Sequence, residues 1–210
     1  MIEIKSFRAA DGGSLILCEI KICDEDCNEK LICRLLPEQY KELRLKKGEI
    51  SEAVLAEILD ADELCRALRS GRSSLAHSAS SEAALKQKLR MKGFSARSAE
   101  RAVEILVSED AMTEDEDAAR EAERCLKKLW GKNRIAAHLR SKSYRRESVD
   151  HALLSIEYTD FSVVCRRAIE KKWGSLPKNT EDAPTARDRA VAALLRLGFT
   201  MSEINQAARQ

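Results

Sequence analysis

The chain has 210 residues, of which 34% are charged, 44% hydrophobic and only 4% aromatic, with eight Gly and three Pro. So few aromatics and turn formers argue against an all-β sandwich or a glycine-rich nucleotide fold, and leave a helix-rich chain of one to three domains. The net charge of +2 is uneven: residues 1–70 hold 11 Lys and Arg against 15 Asp and Glu, and residues 71–210 hold the other 26 against 20, which permits an acidic partner without requiring one.

Residues 1–36 read as extended. Ile2 and Ile4 alternate with acid and base, Asp11-Gly12-Gly13-Ser14 is a turn signal, and Leu15–Cys23 is a strand. Residues 24–29 form a polar turn and residues 31–36 the returning strand. The spacing predicts a small antiparallel sheet of two or three strands, which must pack on helices to be stable. Cys18, Cys23, Cys27 and Cys33 make no Cys-x-x-Cys pair and have no His nearby. A metal site and small buried strand residues both remain open, and the alternation of Cys18 with Ile16, Ile20 and Ile22 favours the second. Seven cysteines, an odd count, behind an N-terminus that is no signal peptide imply thiols and a cytoplasmic protein. No stretch approaches the length of a membrane span.

Pro37 opens a short helix that should end near Lys47, with Gly48 as its stop. Ser51 caps a longer helix reaching about Arg69, with Val54, Leu55, Ile58, Leu59, Leu64 and Leu68 at helical spacing. Residues 1–70 are therefore an N-terminal strand-plus-helix region. Residues 71–81, rich in serine, read as a linker.

Behind the linker the sequence repeats itself. Leu85-x-x-x-Leu89-x-x-Lys92-Gly93-Phe94 is followed by Ala99, Ala102 and Val103. Ile135-x-x-x-Leu139-x-x-Lys142-Ser143-Tyr144 is followed by Val149, Ala152 and Leu153. Ala190-x-x-x-Leu194-x-x-Leu197-Gly198-Phe199 is followed by Ile204, Ala207 and Ala208. A helix ends at a left-handed Gly, the aromatic packs back over its end, and Ser95 or Thr200 caps the next helix, Thr200 with Glu203 as a capping box. The middle copy has Ser143 for the Gly and Arg145 for the cap, replacements expected to cost about 1 kcal/mol each. A third helix follows two copies: one over residues 114–129, opened by a Thr113–Glu116 capping box, and one near residues 160–173. The chain is thus mainly α: tandem three-helix repeats with a small N-terminal antiparallel β element. The repeats cover residues 82–130 and 131–174, with a partial third copy at 175–210 after a break carrying Pro177 and Pro184.

Catalytic signals are missing. His77, His138 and His151 sit in no ligand spacing, and no phosphate-cradling or nucleophile-elbow motif occurs. Glu114, Asp115, Glu116 and Asp117 read as the acidic first turn of a helix. The reading is a non-enzymatic protein without cofactor, metal or small-molecule substrate. On helix 114–129, Arg120, Arg124, Lys127 and Lys128 fall within about 100° of one face, opposite an apolar stripe. A solvated face and a contact with an acidic partner or DNA phosphate both fit. Lys86 and Arg90 border the Leu85/Leu89 stripe, and Arg134 occupies a repeat-motif position. Trp130 and Trp173 end their helices at matching places, where packing between repeats is favoured over base stacking.

Leu89-x-x-Lys92-Gly93-Phe94, Gly131-x-x-Arg134-Ile135-x-x-x-Leu139-x-x-Lys142 and Leu194-x-x-Leu197-Gly198-Phe199-x-x-x-x-Ile204-x-x-Ala207, in this order, resemble the RecX family of bacterial recombinase regulators. The resemblance covers most of residues 40–210. It implies tandem three-helix repeats and a protein that lies in the groove of the RecA–DNA filament, restraining ATP turnover and strand exchange in recombination and repair. Under that implication Lys86, Arg90, Arg120, Arg124, Lys127, Lys128 and Arg134 are the candidate contacts to RecA or to DNA within the filament. A sequence-tolerant DNA-binding protein built of helix-turn-helix-like units, or a helical scaffold for another partner, stand beside it.

Overall fold

The structure, a computed structural model, describes residues 1–23, 28–181 and 185–209. The chain divides into two compact units: Met1–Ser78 with Leu85–Ala111, and Ala79–Ala84 with Met112–Gln210.

In the first unit β1 (Ile2–Ala10), β2 (Leu15–Cys23) and β3 (Asn28–Leu35) form an antiparallel meander. β4 (Gly48–Glu49) joins the open side of β1, giving the order β3-β2-β1-β4. Period-two alternation puts Cys18 and Ile20 of β2 on the same face as Ile4, Cys33 and Leu35, and all five are buried with Leu45, Ile58 and Ala61. Cys18 and Cys33 are register partners with free thiols. Burial pushes them up to about 12 and about 11, so both stay protonated and act as small apolar groups. Cys27, and residues 24–27 of the expected turn, lie outside the described residues.

Two boundaries differ from the sequence reading. Helix α1 (Pro37–Glu42) stops well short of Lys47, and Gly48, expected to end it, instead pairs with Ile4 in β4 at φ +123°. A two-residue strand is too short to show a period. Helix α2 (Glu52–His77) runs straight through Ser70, Gly71, Ser73 and Ser74, so residues 71–77 are helix and not linker. The reason is packing. Leu64, Ala67, Leu68, Gly71 and Ser74 stay buried at helical spacing, and α4 (Ala96–Ser108) lies against α2 there. A Cβ on Gly71 would stand 2.7 Å from Leu106 Cδ1. Small residues permit the close approach, and the tertiary contact outweighs their low helix propensity.

The repeat follows as expected: α3 (Glu82–Met91), α4 and α5 (Glu114–Lys127), then α6 (Lys132–Ser141), α7 (Arg146–Ser155) and α8 (Phe161–Trp173), then α9 (Ala186–Arg196) and α10 (Met201–Arg209). Helix α5 ends before Leu129, which turns to φ +59°. Pro184 of the break before α9 lies outside the described residues. Packing is offset from the sequence repeat. The second helix of each copy packs on the helix that precedes the copy: α4 on α2, α7 on α5 and α10 on α8. The third copy, though it has no third helix, therefore completes a group with α8, burying Phe199, Ile204 and Ala207 in the core of the second unit.

Each first helix closes alike. The amides of Phe94, Tyr144 and Phe199 donate to the carbonyls of Leu89, Leu139 and Leu194 at 3.3, 3.3 and 3.2 Å, with Gly93, Ser143 and Gly198 at φ +91°, +60° and +90°. Ser143 alone carries a Cβ into this left-handed turn. Ser143→Gly should raise the unfolding free energy by about 0.5–1 kcal/mol, read as a higher urea midpoint at unchanged slope.

The starts of the second helices are held by carboxylates. Glu63 of α2 accepts from the Ser95 amide (2.9 Å) and from the Ser95 and Ser98 hydroxyls (2.6 Å each). Burial pushes the Glu63 carboxyl up, but these bonds outweigh it and hold the group below the usual range. In the middle copy Arg145 has no capping side chain, and the replacement comes from α5. Glu114 Oε1 accepts from the Arg145 amide at 2.7 Å while its Oε2 accepts from the Glu82 amide at 3.0 Å. Thr113 makes no side-chain cap, so the expected Thr113–Glu116 box does not form. Ser148 Oγ adds a 2.6 Å bond to Asp115. The third copy uses its own box, with Thr200 N to Glu203 (2.7 Å) and Glu203 N to Thr200 Oγ1 (3.3 Å).

Within the second unit the first helices meet end to end. Gly131 N and Asn133 N at the start of α6 donate to Leu197 O (2.8 Å) and Gly198 O (3.3 Å) at the end of α9. Ser81 Oγ, which caps α3 through the Ala84 amide, donates to Lys142 O at the end of α6 (2.8 Å). Orphan carbonyls are thereby satisfied by amides at the α9–α6 junction and by a serine hydroxyl at the end of α6.

Candidate partner-contact surface

Helix α5 buries Ala118, Ala122 and Cys125 in the core of the second unit. That face fixes the other, and Arg120, Arg124, Lys127 and Lys128 all stand exposed, as the helical angles predict. They differ in what already engages them. Arg120 bonds Asp117 at 2.8 Å and lies 3.7 Å from Glu116; Arg124 bonds Glu121 at 2.8 Å. Both guanidiniums are exposed, but the carboxylates they pair with are largely buried, Asp117 and Glu121 being 9% and 13% exposed, so an acidic partner that drew an arginine away would leave a buried carboxylate less well paired. Burial pushes the Asp117 carboxyl up, against the pull of Arg120. Lys127 makes no ion pair among the described residues.

Lys128 and Arg134 converge on one ring. The Lys128 ammonium lies 5.5 Å and the Arg134 guanidinium 4.0 Å from the centre of the Trp130 indole. His138 meets the same indole edge-on at 5.3 Å and bonds Glu121 Oε1 at 2.9 Å. Thus Arg124, Lys128 and Arg134 gather at the joint between α5 and α6, around Glu121, Trp130 and His138. Trp173 repeats the motif with Lys172 at 4.7 Å, and both tryptophans pack against the core of the second unit.

The joint also holds a group that sequence reading kept apart. Donor atoms of Glu121, Cys125 and His138 lie within 4.8 Å of one another. Glu121 and Cys125 share a helix face four residues apart, but His138 arrives by tertiary packing and no local spacing announces it. Burial pushes the Cys125 thiol up and Glu121 adds to this, so the sulfur keeps its proton. Arg124 holds the second Glu121 oxygen. The Glu121–His138 bond links α5 to α6, with the Cys125 thiol beside it.

Lys86 and Arg90 are not part of this gathering. Both lie in the portion of α3 that belongs to the first unit, where Lys86 reaches Glu100 of α4 at 3.3 Å. Arg90 is exposed and without an ion pair among the described residues. Among those residues no helix is long and apolar enough to cross a membrane.

No protein-family model and no curated protein sequence matches the chain. Solved structures do. The chain is similar over 100% of its length, and 100% of the other's, to the crystal structure of a regulatory protein RecX, with a TM-score of 0.74 at 17% identity. It is similar to RecX from Lactobacillus salivarius over 71% of this chain and 96% of that one, with a TM-score of 0.57 at 16% identity. The fold is that of RecX: mainly helical repeats behind a small antiparallel sheet.

Proposed function

We propose that this RecX-fold chain is a negative regulator of a RecA recombinase, binding the RecA–DNA filament in the cytoplasm and restraining its ATP turnover and strand exchange. The observation that carries the reading is the full-length likeness to a regulatory protein RecX, sheet and repeats together. The three repeat motifs of the sequence point the same way. The cation set at the α5–α6 joint supplies the means. Lys127 makes no ion pair among the described residues, Lys128 and Arg134 are ordered on Trp130, and Arg120 and Arg124 present exposed guanidiniums anchored on Asp117 and Glu121. Such a surface works by complementarity of charge and shape.

Co-pelleting with RecA assembled on single-stranded DNA tests the contact. Lys127→Glu/Arg134→Glu should weaken capture at least tenfold, about 1.4 kcal/mol, while leaving the melting curve near that of the parent protein. Unchanged capture removes the α5–α6 joint from the interface.

A further inference from the structure

A second cationic site lies in the first unit, on residues that the proposed filament contact does not involve, and of its cations only Lys92 belongs to a repeat motif. A groove of about 600 Å³ runs beside the middle of α2, lined by Arg66, Arg69 and Arg72, by Arg34 from the end of β3, and by Lys92 from the turn after α3. Leu36, Cys65 and Leu68 line it as well.

Partners decide what charge remains. Asp62 takes both Arg66 (2.8 Å) and Arg34 (3.5 Å), and Glu109 takes Arg72 (2.7 Å). Asp11 lines the groove near the β1–β2 turn. Arg69 is exposed and makes no ion pair among the described residues. Among the described residues the Lys92 ammonium is met only by hydroxyls, Ser70 Oγ at 2.8 Å and Ser74 Oγ at 3.4 Å. Five cations thus face three carboxylates, and the surplus sits at Arg69 and Lys92, flanked by serine hydroxyls.

We infer that this groove binds the phosphodiester backbone of single-stranded nucleic acid. Guanidinium, ammonium and hydroxyl donors side by side match phosphate oxygens. No Phe, Tyr or Trp lines the groove. Bases therefore find no stacking platform, and the contact is sequence-tolerant. The site is independent of the recombinase: it requires only the folded chain and the nucleic acid.

The test is fluorescence anisotropy of the full chain with a labelled oligothymidylate of about 20 nucleotides, across about 50 to 200 mM salt. Binding should weaken as salt rises, and a mixed-sequence strand should bind within about twofold. Arg69→Glu/Lys92→Glu should weaken binding at least tenfold and flatten the log–log salt slope by about 1.4, two phosphate contacts at about 0.7 each. Arg69→Gln/Lys92→Gln, which adds no like charge to disturb folding, should give the same flattening with a smaller loss. Three results overturn the proposal: no binding at the lowest salt, an unchanged slope in both variants, or displacement of the strand by polyglutamate at equal charge. The last would assign the groove to an acidic polypeptide instead.

Discussion

Glu114→Ala should lower the unfolding free energy by about 2–4 kcal/mol, one of the largest effects of any single polar replacement in this chain. Its side chain is 1% exposed, and it accepts two backbone amides at once, those of Glu82 and Arg145. Removing it strands the first amides of α3 and α7 without acceptors, and each loss is worth about 0.5–2 kcal/mol. Glu114→Gln keeps one acceptor oxygen and should cost about half as much. Glu116→Ala, two residues on, loses only an exposed 3.7 Å approach to Arg120 and should stay within about 0.5 kcal/mol. Urea unfolding of the three variants checks the order. Equal effects from Glu114 and Glu116 would show that the double cap contributes nothing.

Gly198→Ala and Gly131→Ala should each cost about 3 kcal/mol or more, because backbone meets backbone there. A Cβ on Gly198 would stand 2.3 Å from Arg134 N, and one on Gly131 would stand 2.3 Å from Gly198 C. Neither neighbour is a flexible side-chain tip. Gly93 separates this from turn strain. It occupies the same left-handed turn at φ +91° with nothing within 4 Å of its Cβ, so Gly93→Ala should cost only about 1 kcal/mol. Thermal melts of the three variants measure the difference. Because Gly131 and Gly198 meet at one junction, the double variant should fall short of the sum.

These two sites mark where sequence reading stops. The repeat was legible because its signals are local: Leu or Ile four residues apart, a left-handed turn residue, an aromatic behind it, a cap. The exposure of Arg120, Arg124, Lys127 and Lys128 was legible for the same reason, since a helix angle needs only spacing. The junctions were not. That Gly131 meets Gly198, that Glu114 caps a helix on each side, or that His138 reaches Glu121 depends on contacts between residues far apart in the chain, with no periodicity to betray them. The serine-rich stretch misled for a related reason. Ser70, Gly71, Ser73 and Ser74 look like a linker alone, and become helix only because α4 needs small residues opposite Leu106. The basic groove drew no notice because its cations come from β3, α2 and the turn after α3, three segments that only the fold assembles.

Whether the chain restrains a recombinase is tested by DNA-stimulated ATP turnover of the cognate RecA on single-stranded DNA, followed as the full chain is added. The expected result is a fall in turnover that saturates at or below one chain per recombinase subunit. If the α5 face contacts the filament as proposed, Arg120→Glu/Arg124→Glu should require several-fold more protein for the same fall. Turnover unchanged at every ratio, with no capture by the filament, would contradict the claim.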